Sequence, residues 1–450
     1  MSKTLIKNGC IISVDPGVGD LPDGDILIEE DRIEEIGTGL QAPGAEILDA
    51  SGMIVLPGLI NAHLHTWETP VRGIGGDWGG FDYFRHLHAN LAPRFTPEDT
   101  RLGNMMGALS QLDGGTTTIF DWCHNNATPD HTDAALDGLA DAGIRALFGH
   151  GSVKPEPKEG EKHFSQIPHS REEIKRLREG RLSDDGALVT LAVSILGTDY
   201  GTLDVALHDF RLAREFGLIS SAHIWGAPDR LVEDGYRVLA KEGLLGPDHN
   251  LVHGNYLGDE ELRFILDAGV SVTATPQAEL QTNRGEPLTG RVLAMGGRPS
   301  IGSDIEIYST GDMFHVMRFA LLSQRIFDNQ KIGGDRPRAD KISVRARQAL
   351  EWVTINNAAA MGLEDRIGSL APGKQADIIM IRSGDMNLMP AHDPVHTAVL
   401  HAHGGNVDTV LVAGKKVKAG GRLRIPEADL ERKKEALRET GRRLLREAGL

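Results

Sequence analysis

The chain has 450 residues, 40% of them hydrophobic, enough for one large domain with an appendage or for two domains with full cores. Aspartate and glutamate (64) outnumber lysine and arginine (48), and the net charge of −16 opposes binding to a nucleic-acid backbone or an anionic membrane surface. Cys10 and Cys123 are the only cysteines, no apolar run approaches the ~20 residues that span a bilayer, and no charged-then-apolar leader precedes the first strand signal; a reduced, cytoplasmic protein is expected.

Residues 1–55 read as short strands with tight turns, TLIKNGCIISV, DILIEEDRIEEIG and ILDASGMIVL, where apolar and charged residues alternate as on a sheet with one solvated face. From 56 to 365 the pattern becomes short apolar strands separated by amphipathic helices. Candidate strands end near His65, Trp122, Gly151, Gly197, Trp225, Asn255, Pro276 and Asp304. A clear helix start is Thr96, Pro97, Glu98 and Asp99: a hydroxyl cap, a proline at the first helical position and two acids in the first turn. Strands each followed by a helix predict the α/β class and a parallel (β/α)8 TIM barrel, whose chemistry sits at the carboxyl ends of its strands. Beyond it, SVRARQALEWVTINNAAAMGL reads as one helix. Strand signals return in RIGSLAPGKQADIIMI, HTAVLHAH and NVDTVLVAGKKVKAGG, so 1–55 and 366–425 are expected to pair into a small composite β-sandwich. Residues 426–450 read as a terminal helix, with Leu430, Leu437 and Leu444 as a docking stripe on its own subunit.

His63 and His65 end the first barrel strand in PGLINAHLH, and a strand projects residues i and i+2 from one face. Two imidazoles directed into one small volume point to a metal site. An isolated pair carries little weight, and a lone histidine in SAHIWG or LVHGN is more often a satisfied core residue. Repetition at one level of a closed barrel is different: His124 stands just beyond the second strand, His223 on the fifth, His253 on the sixth and Asp304 on the eighth. Three histidines and one aspartate leave a position for water, and a divalent cation there lowers the pKa of that water toward ~7.

PGLINAHLH, SAHIWG, LVHGN and SIGSD, framed by the N-terminal strands and IGSLAPGKQADIIMI, closely resemble the amidohydrolase superfamily over nearly the whole chain. The nearest branch holds cytosine and guanine deaminases, atrazine chlorohydrolase and related triazine and phenylurea hydrolases. The resemblance implies that His63, His65, His223 and Asp304 bind one divalent ion, zinc first, with iron or manganese as alternatives. It implies also that Asp304 takes the proton of the attacking water and that His253 polarises the group attacked. Two-metal members carry a carboxylated lysine on the fourth strand; LVTLAVSILG has none, so one ion is expected.

Deaminases of this branch carry a glutamate three residues after the fifth-strand histidine, where this chain has Gly226. A replacement proton donor must come from elsewhere, because expelling an amine anion is prohibitively uphill. Glu279 is the first candidate, followed by His124 and Glu68. Candidate substrate contacts are Trp67, Glu68, Trp122, Trp225 and His253, since flat rings beside a metal suit a planar substrate. Residues 73–80, GIGGDWGG, lack the context of a nucleotide-binding loop and read as a mobile loop over the site. The expected activity is hydrolysis of a non-peptide C–N bond, of deaminase or aminohydrolase type, on a small (hetero)aromatic or cyclic substrate. Removal of a chloro, thiocarbamate or urea-type group is the alternative. A non-catalytic scaffold is a second one, which loss of a metal ligand would mark. Such barrels commonly pair, so a homodimer or higher homo-oligomer is expected, with neither nucleic acid nor membrane as partner.

Overall fold

A computed structural model of the chain describes residues 2–228, 230–332 and 339–450. The alternating N-terminal pattern becomes β1 (Lys3–Ile12), β2 (Asp20–Glu29), β3 (Arg32–Gly37), β4 (Glu46–Asp49) and β5 (Met53–Pro57). One residue later the apolar runs begin: β6 (Leu59–Leu64), β7 (Thr116–Cys123), β8 (Arg145–Gly151), β9 (Val189–Ile195), β10 (Ser220–Ile224), β11 (His249–His253), β12 (Ser271–Ala274) and β13 (Ser300–Ile301). These form one eight-stranded sheet in chain order. Every residue of β6, β7, β8, β10 and β11 is buried, as strands of a parallel sheet covered on both faces must be. The sheet closes through one parallel bridge, Leu64 to Asp304: the His65 amide donates to the Asp304 carbonyl and the Asp304 amide to the His63 carbonyl, both at 3.0 Å. The closing bridge therefore brings Asp304 to the first-strand histidines.

The remaining strands, β14 (Ile378–Arg382), β15 (Val407–Val412), β16 (Lys415–Ala419) and β17 (Arg422–Leu423), join β1 to β5 in a nine-stranded mixed sheet. The seam is β14 against β5, antiparallel, with Ile378 opposite Pro57 and Arg382 opposite Met53. Ile6, Ile26, Ile28 and Val55 from the first end of the chain share one apolar cluster with Ile378, Met380 and Leu411 from the other, so the two ends build one sheet as expected.

Two expected elements differ. HTAVLHAH is not a strand: Pro394–His401 is a helix, with the Asp393 carboxylate accepting from the His396 amide at 2.8 Å and proline at its first position. The long helix expected over SVRARQALEWVTINNAAAMGL is two, Ala346–Trp352 and Ile355–Ala360. They part at Val353 and Thr354, β-branched residues whose stiff side chains disfavour the helix; the Thr354 hydroxyl instead caps the Leu350 carbonyl at 2.6 Å. The terminal helix is Glu427–Ala448, and of its leucine stripe Leu444 is fully buried. No described helix is long and apolar enough to cross a membrane.

By compactness the chain divides into two units, Met1–Ala62 with Leu109–Ile119 and Gly311–Ile425, and His63–Ala108 with Phe120–Thr310 and Pro426–Leu450. All the candidate site residues lie in the second.

Candidate metal centre

His63 is the fifth residue of β6 and His65 follows the strand, so their rings share a face, with centroids 4.8 Å apart. His223, on β10, brings its Nε2 to 3.1 Å from the His63 Nε2. Asp304 places Oδ1 3.2 Å from the His63 Nε2 and 3.4 Å from the His65 Nε2. The His65 Nδ1 lies 2.6 Å from the Trp122 carbonyl, which can only accept, so Nδ1 carries the proton and Nε2 offers its lone pair. His253 ends β11, and one ligand atom each from His63, His223, His253 and Asp304 lie within 4.8 Å of one another. His253 (φ 73°) and Asp304 (φ 66°) both hold the left-handed backbone that residues with a Cβ disfavour, which marks where the fold strains its chain to aim side chains.

Burial favours the neutral form of His63 and His223: His63 is pushed down to about 3 and His223 well below its ordinary value. Burial alone raises the Asp304 carboxyl, but the His63 and His65 rings set against its Oδ1 outweigh burial and hold it well below its ordinary value. Neutral nitrogens and a carboxylate oxygen converging at 3.1 to 3.4 Å repel one another unless a cation stands among them. A tetrahedral ion with bonds of about 2.0 to 2.1 Å separates its donors by about 3.3 Å, so the donor set fits a divalent metal.

The centre forms one end of a cavity of about 790 Å³. Trp225 lines it with its ring parallel to that of His253 at 4.5 Å, its indole N–H donating to the Tyr200 hydroxyl. Trp67, Glu68 and Trp122 do not line the cavity, which corrects the expectation that they touch substrate directly. Trp67 is fully buried and donates its indole N–H to the His124 Nδ1 at 3.0 Å; Trp122 packs on His223 at 4.2 Å and donates to the Ser221 hydroxyl at 3.3 Å. Both aim other rings. Because indole can only donate, neutral His124 carries its proton on Nε2. Burial lowers its pKa well below the usual value, so it stands as a hydrogen-bond donor stacked 4.2 Å from His65 and is a poor proton source.

Glu279 is not free to act as an acid either. Its Oε1 accepts from the Thr275 amide at 2.7 Å and faces the His253 Nδ1 at 3.2 Å, and its Oε2 accepts from the Asn255 amide group at 3.1 Å. It orients His253. Glu68 differs: its Oε1 accepts from the Tyr83 hydroxyl at 2.7 Å, its Oε2 has no partner, and burial pushes its pKa well above the carboxylate range. A carboxyl oxygen of Glu68, a nitrogen of His65 and one of His124 also lie within 4.8 Å of one another. Residues 73–80, expected to be mobile, are tied down by the Gly73 and Gly75 amides donating to the Glu306 and Ile307 carbonyls at 3.0 and 3.1 Å.

Residues 54–417 match the model of the amidohydrolase family. The chain belongs to that family. It is 29% identical, over 95% of its length and 97% of the relative's, to the 5-methylthioadenosine/S-adenosylhomocysteine deaminase of Moorella thermoacetica. To the 5'-deoxyadenosine deaminase of Methanosarcina mazei it is 26% identical over 92% of each chain. Among solved structures its fold matches atrazine chlorohydrolase from Arthrobacter aurescens TC1 complexed with zinc (TM-score 0.85, 22% identity, 97% and 100% of the two chains). It also matches a zinc-bound adenosine deaminase from Xanthomonas campestris (TM-score 0.82, 21% identity, 98% and 99%). The amidohydrolase is thus a hydrolase acting on C–N bonds, and its His63, His223, His253 and Asp304 form a group that could hold a divalent metal.

Sequence reasoning overlooked Lys154, Asp199 and Tyr308 on the wall of this amidohydrolase's cavity. Lys154 follows β8 by three residues, and that nearness to a strand end was the available signal.

Proposed function

We propose that this amidohydrolase removes an amino or substituted-amino group from a nitrogen heterocycle by hydrolysis, at one zinc ion held by His63, His65, His223 and Asp304. The observation that carries this reading is the convergence of the His63 and His65 Nε2 atoms on the Asp304 Oδ1, at 3.2 and 3.4 Å, at the end of a ring-lined cavity. A divalent cation, when bound, supplies Lewis acidity that brings the pKa of water toward about 7.

The chain's own groups divide the remaining work. Asp304, ionised, uses Oδ1 toward the histidines and leaves Oδ2, 3.5 Å from the Thr275 hydroxyl, to take the proton of the attacking water. His253, braced through Nδ1 by Glu279, turns Nε2 to the substrate group under attack. Trp225, coplanar in orientation with His253, offers a face for a flat ring. Glu68, whose pKa burial raises well above the carboxylate range, is assigned the proton of the departing amine, in the role that Gly226 cannot fill. Sheet membership supports a matching domain plan: 1–55 with 366–425 as one β-domain, 56–365 as the barrel and 426–450 as a terminal helix.

The names of the relatives put adenine nucleosides first among substrates. Metal-loaded protein incubated with these, and with guanine, cytosine, pterins, aminotriazines and aryl ureas, is expected to release ammonia or amine from one aminoheterocycle, and to stop on chelation. Chloride release from a chlorotriazine added to the panel, or amine release from an aryl urea alone, with none from any aminoheterocycle, replaces this reading by hydrolysis of chloro or urea-type groups. Gly226 favours that second reading, because a departing chloride needs no proton.

A further inference from the structure

One cation in the cavity has no part in the chemistry above. The extended segment after β8 is a wall between two cavities: Val153 and Pro155 line one of about 750 Å³, while Lys154, between them, lines the metal-site cavity. Lys154 is only 8% exposed. Its Nζ lies 5.4 Å from the Trp122 ring centroid and 5.3 Å from that of Tyr200, distances at which ring faces attract a cation. Rings attract its charge but leave its three N–H groups without strong acceptors.

Among the described residues no carboxylate stands within ion-pair distance of this ammonium. Glu68 and Asp304 act on it from farther away, the first held by Tyr83 and the second by His63 and His65. Asp199, another acid on the cavity wall, is turned to the Trp225 and Gly226 amides at 2.8 and 3.0 Å. A buried charge without a partner is costly to maintain, and it persists where a ligand completes it. Trp122 spans the gap to the metal centre, with its ring 4.2 Å from that of His223, so the ammonium and the histidines flank a single indole. Lys154 thus brings to the cavity wall a positive charge that no neighbouring carboxylate pairs directly, and such a charge suits an anion.

We propose that Lys154 selects the substrate by pairing with an anionic group of carboxylate type carried on the heterocycle that loses its amine. The proposal rests on the catalytic reading above. It is tested by calorimetric titration of the zinc-loaded protein with nicotinate and nicotinamide, a heteroaromatic carboxylate and its neutral amide. Nicotinate is expected to bind about 10-fold or more tightly than nicotinamide, as a charge-assisted pair requires. Lys154→Met should abolish that preference and Lys154→Arg should keep most of it, with zinc content unchanged in both. Equal affinity for the two probes, or no detectable nicotinate binding, overturns the proposal. So does a preference that survives Lys154→Met, since it then comes from the metal. Zinc content and wild-type turnover test the catalytic reading separately: turnover without anion preference removes only the role of Lys154, whereas a protein that holds no zinc removes both.

Discussion

On a solvated loop Glu68 would titrate as an ordinary carboxylate; buried beside Tyr83, with Oε2 unpartnered, it holds its proton more tightly. Glu68→Gln should leave metal content intact and lower kcat by roughly 10² to 10⁴, the usual range for a lost general acid; a smaller effect in steady-state assays transfers the role elsewhere. The glutamate of related deaminases could not be restored at Gly226, which has φ 71° and where an added Cβ would meet the Leu257 amide nitrogen at 2.8 Å. Asp121 offers a second, pH-dependent test. Burial raises its carboxyl to about 7 against the hydrogen bonds it accepts from the Thr66 amide and Asn104. In the unfolded chain the same group titrates near ~3.9. Between those values the folded state holds a proton that the unfolded state has lost, so this group makes stability fall as pH rises through that window and then level off. Asp121→Asn removes the term, and the Tm difference between variant and wild type should grow in the variant's favour from about pH 4 to 7.

Among the elements, the short helix Thr66–Val71, which carries Trp67 and Glu68, is braced by the terminal helix Glu427–Ala448. Gly441 permits the approach: a Cβ there would stand 2.5 Å from the Pro70 carbonyl oxygen. Arg443 and Thr440 fasten the same helix to Asp99, Thr440 at 3.3 Å. Gly441→Val should therefore cost about 1 to 3 kcal/mol by overpacking, read as a lower denaturant midpoint, and should slow turnover with less effect on zinc content, because Glu68 shifts while the strand-borne ligands stay. Of the leucine stripe read as a docking face, Leu444 is buried while Leu430 and Leu437 are half-buried. The helix Pro394–His401 was not legible in the sequence, because a short apolar run fits strand and helix alike and only Asp393 and Pro394 betray the cap.

At the scale of the molecule, the four proposed ligands come from β6 and the residue after it, β10 and the segment after β13, far apart in sequence, so an ion bound there would tie folded strands together. Binding to the folded state alone adds about 4 kcal/mol when free metal is 1,000 times Kd. Chelation should lower Tm by several degrees and zinc should restore it, while His223→Ala should show neither response in scanning calorimetry. The barrel and the histidines that line its rim could be read along the chain, because strand periodicity and position at strand ends are local properties that the fold preserves. Pairing of the two chain ends was legible for the same reason. Where each polar group's hydrogen bonds go was decided only by packing: Glu279 lies behind His253, Trp67 behind His124, and Glu68 and Lys154 are buried without full partners. Proton affinity and hydrogen-bond commitment depend on neighbours distant in sequence and on exclusion of water, and neither exists until the strands have closed.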